Sequence, residues 1–196
     1  MTYGKLKQRI YALLDLATDT GVVNGSVYDA VSASMDGAVN SAMRKISTML
    51  MCVVKRTHVS FVSDGELQKT AQPDDFISVK QVFSGGKKYT ANRFDAVDGV
   101  LYCSDIPSGT ADMFYYAYGE DVSELGDNDE LSFDDAHCDI LAYGAALELC
   151  GEAYPGNYDK YVVIATEYDE RVANALLYGG GTDKVANSLY AKRRLI

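Results

Sequence analysis

The chain has 196 residues, of which 47% are apolar and 23% charged. That composition fits one globular domain, with or without a sizeable insertion, and excludes wholly disordered or collagen-like designs. Eighteen Lys and Arg stand against twenty-eight Asp and Glu, a formal charge of −10, and sixteen of the acids fall between Phe94 and Asp159, a stretch without Lys or Arg. A general nucleic-acid binder needs a basic face to neutralise phosphates, and this acidic half repels the same backbone. No apolar segment approaches the about 18 residues that cross a bilayer, and the N-terminus lacks a basic-then-apolar leader. Cys52, Cys103, Cys138 and Cys150 have no CxxC spacing. Reduced thiols and no membrane partner are therefore expected.

Residues 2–19 place Leu6, Ile10, Leu13, Leu14 and Ala17 at helical spacing, with Gly21 as the expected C-cap. A second helix is predicted from Ser26, box-like with Asp29, and carries Val31, Met35, Ala38, Val39, Ala42, Ile46 and Leu50 as its stripe. Past Val53 the period shortens to two: Thr57, Val59 and Phe61 alternate with His58, Ser60 and Val62, up to an Asp64-Gly65 turn. Phe76 to Phe83, Val100 to Cys103 and Met113 to Tyr118 read as further strands, with Gly85-Gly86 as a hairpin signal. After an acidic loop, Glu120 to Glu130, a third helix is predicted from a box-like Ser132 and Asp135, with Phe133, Ala136, Ile140, Leu141, Leu147 and Cys150 as its stripe. A fourth follows Pro155-Gly156-Asn157, with Tyr161, Val162, Ala165, Tyr168, Val172, Ala175 and Leu176 inward, and stops at Gly179 to Gly181.

These elements predict an α+β fold, mainly α: a four-helix bundle with an inserted small antiparallel β-sheet and an extended C-terminal arm. Residues 1–52 form an N-terminal helical pair, 53–119 the inserted β region, 120–178 a second helical pair completing the bundle, and 179–196 a hinge and arm.

Catalytic signals are weak. There is no G-x-S-x-G, and His58 and His137 read as surface or packing residues. Gly179-Gly180-Gly181-Thr182-Asp183-Lys184 follows a helix with the wrong spacing for a phosphate loop. Asp74 and Asp75 with Lys80 suggest a metal-dependent nuclease, yet Ser78 occupies the place of the acid expected two residues before the lysine. A turn that caps the following strand accounts for both aspartates. Asp127, Asp129 and Glu130 supply too few ligands for a calcium loop, and Cys138 and Cys150 lie about 18 Å apart along one helix, too far to share zinc. No catalytic residue, cofactor or metal is therefore assigned. The tyrosines suit an interface, with Tyr115, Tyr116, Tyr118, Tyr161 and Tyr168 as the candidates. Lys192, Arg193, Arg194, Leu195 and Ile196 read as a docking peptide.

Two N-terminal helices, then Gln72-Pro73-Asp74-Asp75-Phe76-Ile77-Ser78-Val79 opening a sheet and Asp98-Gly99-Val100-Leu101-Tyr102 closing a hairpin, resemble the head-to-tail adaptor (connector) proteins of tailed bacteriophages. The tract Phe114-Tyr115-Tyr116-Ala117-Tyr118, the acidic segment Asp127 to Leu131, the alanine-rich helix Ala136 to Cys150 and a Tyr-rich last helix with a trailing arm follow in the same order. The resemblance covers about Lys5 to Tyr178 and rests on the order of elements. It implies a virion structural protein without catalytic residues, assembled in the host cytoplasm into a ring, commonly of twelve copies, at the neck between head and tail. The ring joins the portal to a tail or nozzle protein and lets DNA pass without specific binding. The arm, Thr182 to Ile196, would bind the portal. In such a ring Glu120, Asp121, Glu124, Asp127, Asp129 and Glu130 are expected to face the channel and keep DNA off its wall. The competing readings are the small nuclease built on Asp74, Asp75 and Lys80, and another neck or tail-tube subunit.

Overall fold

A helix whose apolar residues spread over most of its circumference has to be largely enclosed by its neighbours, and Asp135–Ala153 is such a helix. Its buried residues include Ile140, Leu141, Ala142, Gly144, Ala145, Ala146 and Leu149, which together span about two thirds of its circumference. The computed structural model describes residues 1–18, 21–22, 25–156 and 158–178, and the chain divides into two compact units, residues 1–52 with 120–196, and residues 53–119. The first unit is helical: α1 (Tyr3–Leu13), a ribbon of β1 (Ala17–Thr18) and β2 (Gly21–Val22), α2 (Gly25–Leu50), α3 (Asp135–Ala153) and α4 (Tyr158–Tyr178). α3 packs on α2, α4 and α1. Small residues make the approach close: a Cβ added at Gly144 would sit 3.2 Å from the Ala42 Cβ and 3.1 Å from the Tyr168 ring.

The few polar side chains of α3 are met by the helices around it. Asp139 pairs with Arg9 of α1 and, at 2.9 Å, with Arg171 of α4. Arg171 also stacks 3.9 Å over the Tyr143 ring and bonds to Glu167. Glu148 receives Lys45 and Ser41 of α2. Asp134 caps α3, accepting from the His137 backbone N–H at 2.9 Å. Burial opposes ionisation of Asp134, but this bond and the His137 ring hold its carboxyl below the usual range.

α1 is held at its first turn by the acidic loop. Thr2 caps the helix, while the Tyr3 and Gly4 N–H groups donate to the carbonyls of Asp129 and Asp127, each at 2.9 Å. These bonds satisfy donors that a helix leaves open at its start. Leu131 N–H returns a bond to Met1 O, and Lys7 pairs with Asp127. Tyr3, 1% exposed, donates its hydroxyl to Asp36 of α2, and burial with that carboxylate raises its pKa well above the ordinary tyrosine value.

Residues 53–119 form a seven-stranded antiparallel sheet in the order β6-β5-β9-β3-β4-β8-β7. Its strands are β3 (Val54–Ser63), β4 (Gln68–Ala71), β5 (Phe76–Ser84), β6 (Lys87–Thr90), β7 (Asp95–Val97), β8 (Val100–Cys103) and β9 (Gly109–Ala117). The hairpins β5–β6 and β7–β8 turn at Gly85-Gly86 and Asp98-Gly99, where all four residues have positive φ, as the mirror-type two-residue turns of twisted hairpins require. The outermost strands, β6 and β7, are consecutive in the chain and joined by residues 91–94. Flat, six strand spacings would separate them by about 29 Å, whereas the link spans about 18 Å at most. The sheet must curl, and it forms an open half-barrel. β3 is the seam: Val54 to Phe61 pair with β9, and Val62 and Ser63 with β4. Phe61, Val82, Leu101, Cys103, Ala111 and Met113 are buried, and Phe94 of the link brings its ring to 6.1 Å from Phe61.

The fold corrects the expected four-helix bundle with a small inserted sheet. α1, α2 and α4 each pack chiefly on α3, so the helices are arranged around one central helix. The insertion is a sheet unit with a core of its own. α1 stops at Leu13, with Asp15 at φ 50°, so Gly21 is not its cap but lies in β2. β9 begins four residues before the expected Met113, and β4, β6 and β7 are strands that alternation did not reveal. The arm, 179–196, lies outside the described residues.

Two glycines test this packing in opposite directions. A Cβ at Gly4 would lie 2.8 Å from the Asp127 carbonyl oxygen, whereas one at Gly37, exposed on α2, meets nothing within 4 Å. Gly4→Ala should cost about 1–3 kcal/mol, and Gly37→Ala should stabilise by about 0.5–1 kcal/mol, both read from urea denaturation midpoints.

Candidate functional site

α4 packs against α3 with only part of its apolar surface. Ile164 and Val172 are buried, and Tyr168 lies on Gly144. Tyr161 and Val162, expected to face inward, are instead 41% and 42% exposed. With Tyr158, Val163 and Leu177 they make five of the ten large apolar side chains that the described residues leave exposed. The rings of Tyr158 and Tyr161 stack at 5.8 Å. At the start of the helix, Cys150, Gly151, Tyr154, Gly156, Tyr158 and Tyr161 line an open pocket of about 460 Å³.

The floor of that pocket is rigidly built. Tyr154 donates its hydroxyl to Leu14 O, and Lys160 bridges to Asp15 at 2.6 Å while lying over the Tyr154 ring. Burial and the neighbouring Asp15 raise the Tyr154 pKa, and burial raises that of the Cys150 thiol. A buried, protonated thiol is a packing group, not a nucleophile. Cys138 is likewise pushed up to about 11 by burial. The pocket therefore offers apolar surface and ring faces, which is recognition chemistry and not bond-making chemistry.

The other expected interface tyrosines are placed differently. Tyr115 and Tyr116 are 5% and 8% exposed within the sheet unit, and Tyr118 is half-buried, its N–H donating to Asp75 O at 2.9 Å. Only Tyr161 of the five is exposed. The acidic loop also has internal duties. Glu120 accepts from Ser132 N–H, Asp129 from Gly126 N–H, and Asp127 holds Lys7. Asp121 caps a 3-10 turn at Val122–Glu124, and the Ser123 hydroxyl and backbone, with Asn40, hold its carboxyl below the usual range. Glu124 and Glu130 are exposed, as are Asp121, Asp127 and Asp129. Lys192 to Ile196 fall outside the described residues.

Asp75 is a brace of the sheet. Its carboxylate takes Lys55 Nζ at 2.5 Å and the Tyr115 hydroxyl at 3.0 Å. Lys80 lies over the Tyr116 ring, 5.5 Å from its centroid, and Asp74 sits in the turn before β5. Among the described residues no group of three or more His, Cys, Asp or Glu is placed to hold a metal ion, and no helix is long and apolar enough to cross a membrane. The sequence matches none of the protein-family models and none of the curated proteins with which it was compared.

Burial opposes ionisation of Asp75, but the bonds from Lys55 and Tyr115 outweigh it and lower the pKa; the same contact, with burial leading, raises Tyr115 to about 12. A depressed carboxylate contributes stability that is complete above its unfolded pKa of about 3.9 and lost as pH falls through the lower folded value. Asp75→Asn should cost about 1–2 kcal/mol at pH 7. In urea denaturation followed across pH, the gap between wild type and variant should close below about pH 4.

Proposed function

We propose that the chain is a structural subunit of a phage neck, a head-to-tail adaptor that assembles into a ring joining the portal to the tail or nozzle and letting DNA pass. One observation carries this reading: α4 presents a row of exposed aromatic and aliphatic side chains beside an apolar pocket, a surface suited to a partner protein. The order of elements that resembles the adaptor family adds to it. Lys192, Arg193, Arg194, Leu195 and Ile196 are proposed as the portal-binding end, since cations beside two aliphatic residues suit an acidic rim with an apolar groove. Glu124 and Glu130 are the carboxylates of the acidic loop proposed to act on passing DNA; Asp121, Asp127 and Asp129 are exposed as well but, like Glu120, hold backbone or side-chain partners.

Sedimentation velocity of the purified chain, alone and mixed with a phage portal protein, tests the assembly. A closed oligomer in either condition is expected, and a monomer in both would overturn the reading. Tyr161→Asp with Val162→Asp should raise the assembly midpoint by about tenfold or more, and the monomer should still unfold in one cooperative transition, because both side chains are more than a third exposed. Deleting residues 192–196 should leave melting and ring formation intact and weaken portal binding; undiminished portal binding removes the role proposed for the arm.

A further inference from the structure

A ring closes through a heterologous contact, so the surface on α4 needs a different, complementary surface on the next copy. The outer face of the sheet unit is distinctive in a chain of net charge −10. Cross-strand partners share a face, and the register sets Lys88 beside Phe83, Phe83 beside Asp112, and Asp112 beside His58 in one row. The next row carries Gln81, Phe114 and Arg56. Phe83 and Phe114 meet edge to face at 5.9 Å, and the Arg56 guanidinium lies 5.7 Å over Phe114. Asp112, the one carboxylate of these rows, is taken up by Arg56 and His58. The face is therefore aromatic at its centre and cationic at its rim, with Phe83 38% exposed.

We propose that this outer face of β6, β5, β9 and β3 docks on the α4 flank of a second copy of the chain. Charge complementarity favours that occupant. Residues 53–119 carry seven Lys and Arg against eight Asp and Glu, while the rest of the chain carries eleven against twenty. On α4 itself, Asp169 is exposed one heptad beyond Val162, on the same side of the helix as the open tyrosines. The tyrosine pocket has room for an aromatic ring, and Phe83 is the exposed aromatic of the sheet unit. Apolar surface would supply the contact energy, and the opposite charges its orientation. The contact rests on the ring reading and specifies which two faces make it.

Two variants, each defective in one face, test it. Arg56→Glu with Lys88→Glu inverts the sheet face, and Tyr161→Asp with Val162→Asp breaks the α4 flank. Each alone should shift the assembly midpoint upward by about tenfold or more while the chain still unfolds in one cooperative transition. Mixed in equal amounts, they should form a one-to-one dimer and nothing larger, because only the intact sheet face of one can meet the intact flank of the other. Lys88→Glu alone, at an exposed edge, should give a smaller shift and guards against misfolding of the double variant. Wild-type assembly should also weaken with added salt. If wild type forms rings and the Arg56/Lys88 variant forms them equally well, or the mixture yields no dimer, this contact is wrong and the ring stands. If wild type is monomeric with and without portal, both fall. Binding of labelled oligothymidine by wild type that the Arg56/Lys88 variant loses would make the face a nucleic-acid site and overturn the proposal.

Discussion

The enclosure of α3 is the constraint on which the helical unit depends. A helix rich in Ala and Gly presents little bulk, so α2 comes close enough for Ala42 to face Gly144, and the Tyr168 ring covers the same glycine from α4. Close approach brings the cations of the neighbouring helices within reach of the acids at the margin of α3. Asp139 and Glu148 are accordingly met by Arg9, Arg171 and Lys45. The surrounding helices are unequal in one respect. α2 is long and buries a full stripe from Val31 to Ile46, whereas α4 contacts chiefly one neighbour and has apolar residues to spare. The exposed flank is thus a product of the same packing that hides α3.

The acidic stretch has a second physical meaning once its partners are known. Carboxylates in a region without Lys or Arg would ordinarily repel one another, yet Glu120, Asp121 and Asp129 accept from backbone N–H groups. The backbone of the same loop supplies the carbonyls that close the start of α1. Local charge density is tolerated because peptide dipoles, and Lys7, neutralise it where it would cost most.

Much of the element layout was legible. The stripe from Val31 to Ile46 describes α2, the alternation at Thr57, Val59 and Phe61 describes the inward side of β3, and Gly85-Gly86 is a true two-residue hairpin. The pairing of strands was not legible, since β4, β6 and β7 have three or four residues each, too few to show a period. The position of α3 left a signal that spacing alone does not weigh: Ala142, Gly144, Ala145 and Ala146 point around the helix and not to one side. For the candidate surface, sequence placed Tyr161 in an interface, but it could not separate a tyrosine that reaches water from Tyr115, whose hydroxyl is committed to Asp75. Periodicity identifies the apolar side of a helix without saying how wide a neighbour will cover it.

The sheet unit enters and leaves through neighbouring strands. Val54 pairs with Tyr116, and Ala117 N–H bonds to Val53 O at 3.0 Å. For the helical unit, the 67 residues of 53–119 therefore behave as a closed link one strand spacing wide. Were the sheet to melt, that link would become an open loop some five doublings longer, and closing it would cost the helical unit about 3 kcal/mol of chain entropy. Connectivity couples the two units thermodynamically, so a ligand or neighbour that holds the sheet folded also raises the stability of the helices.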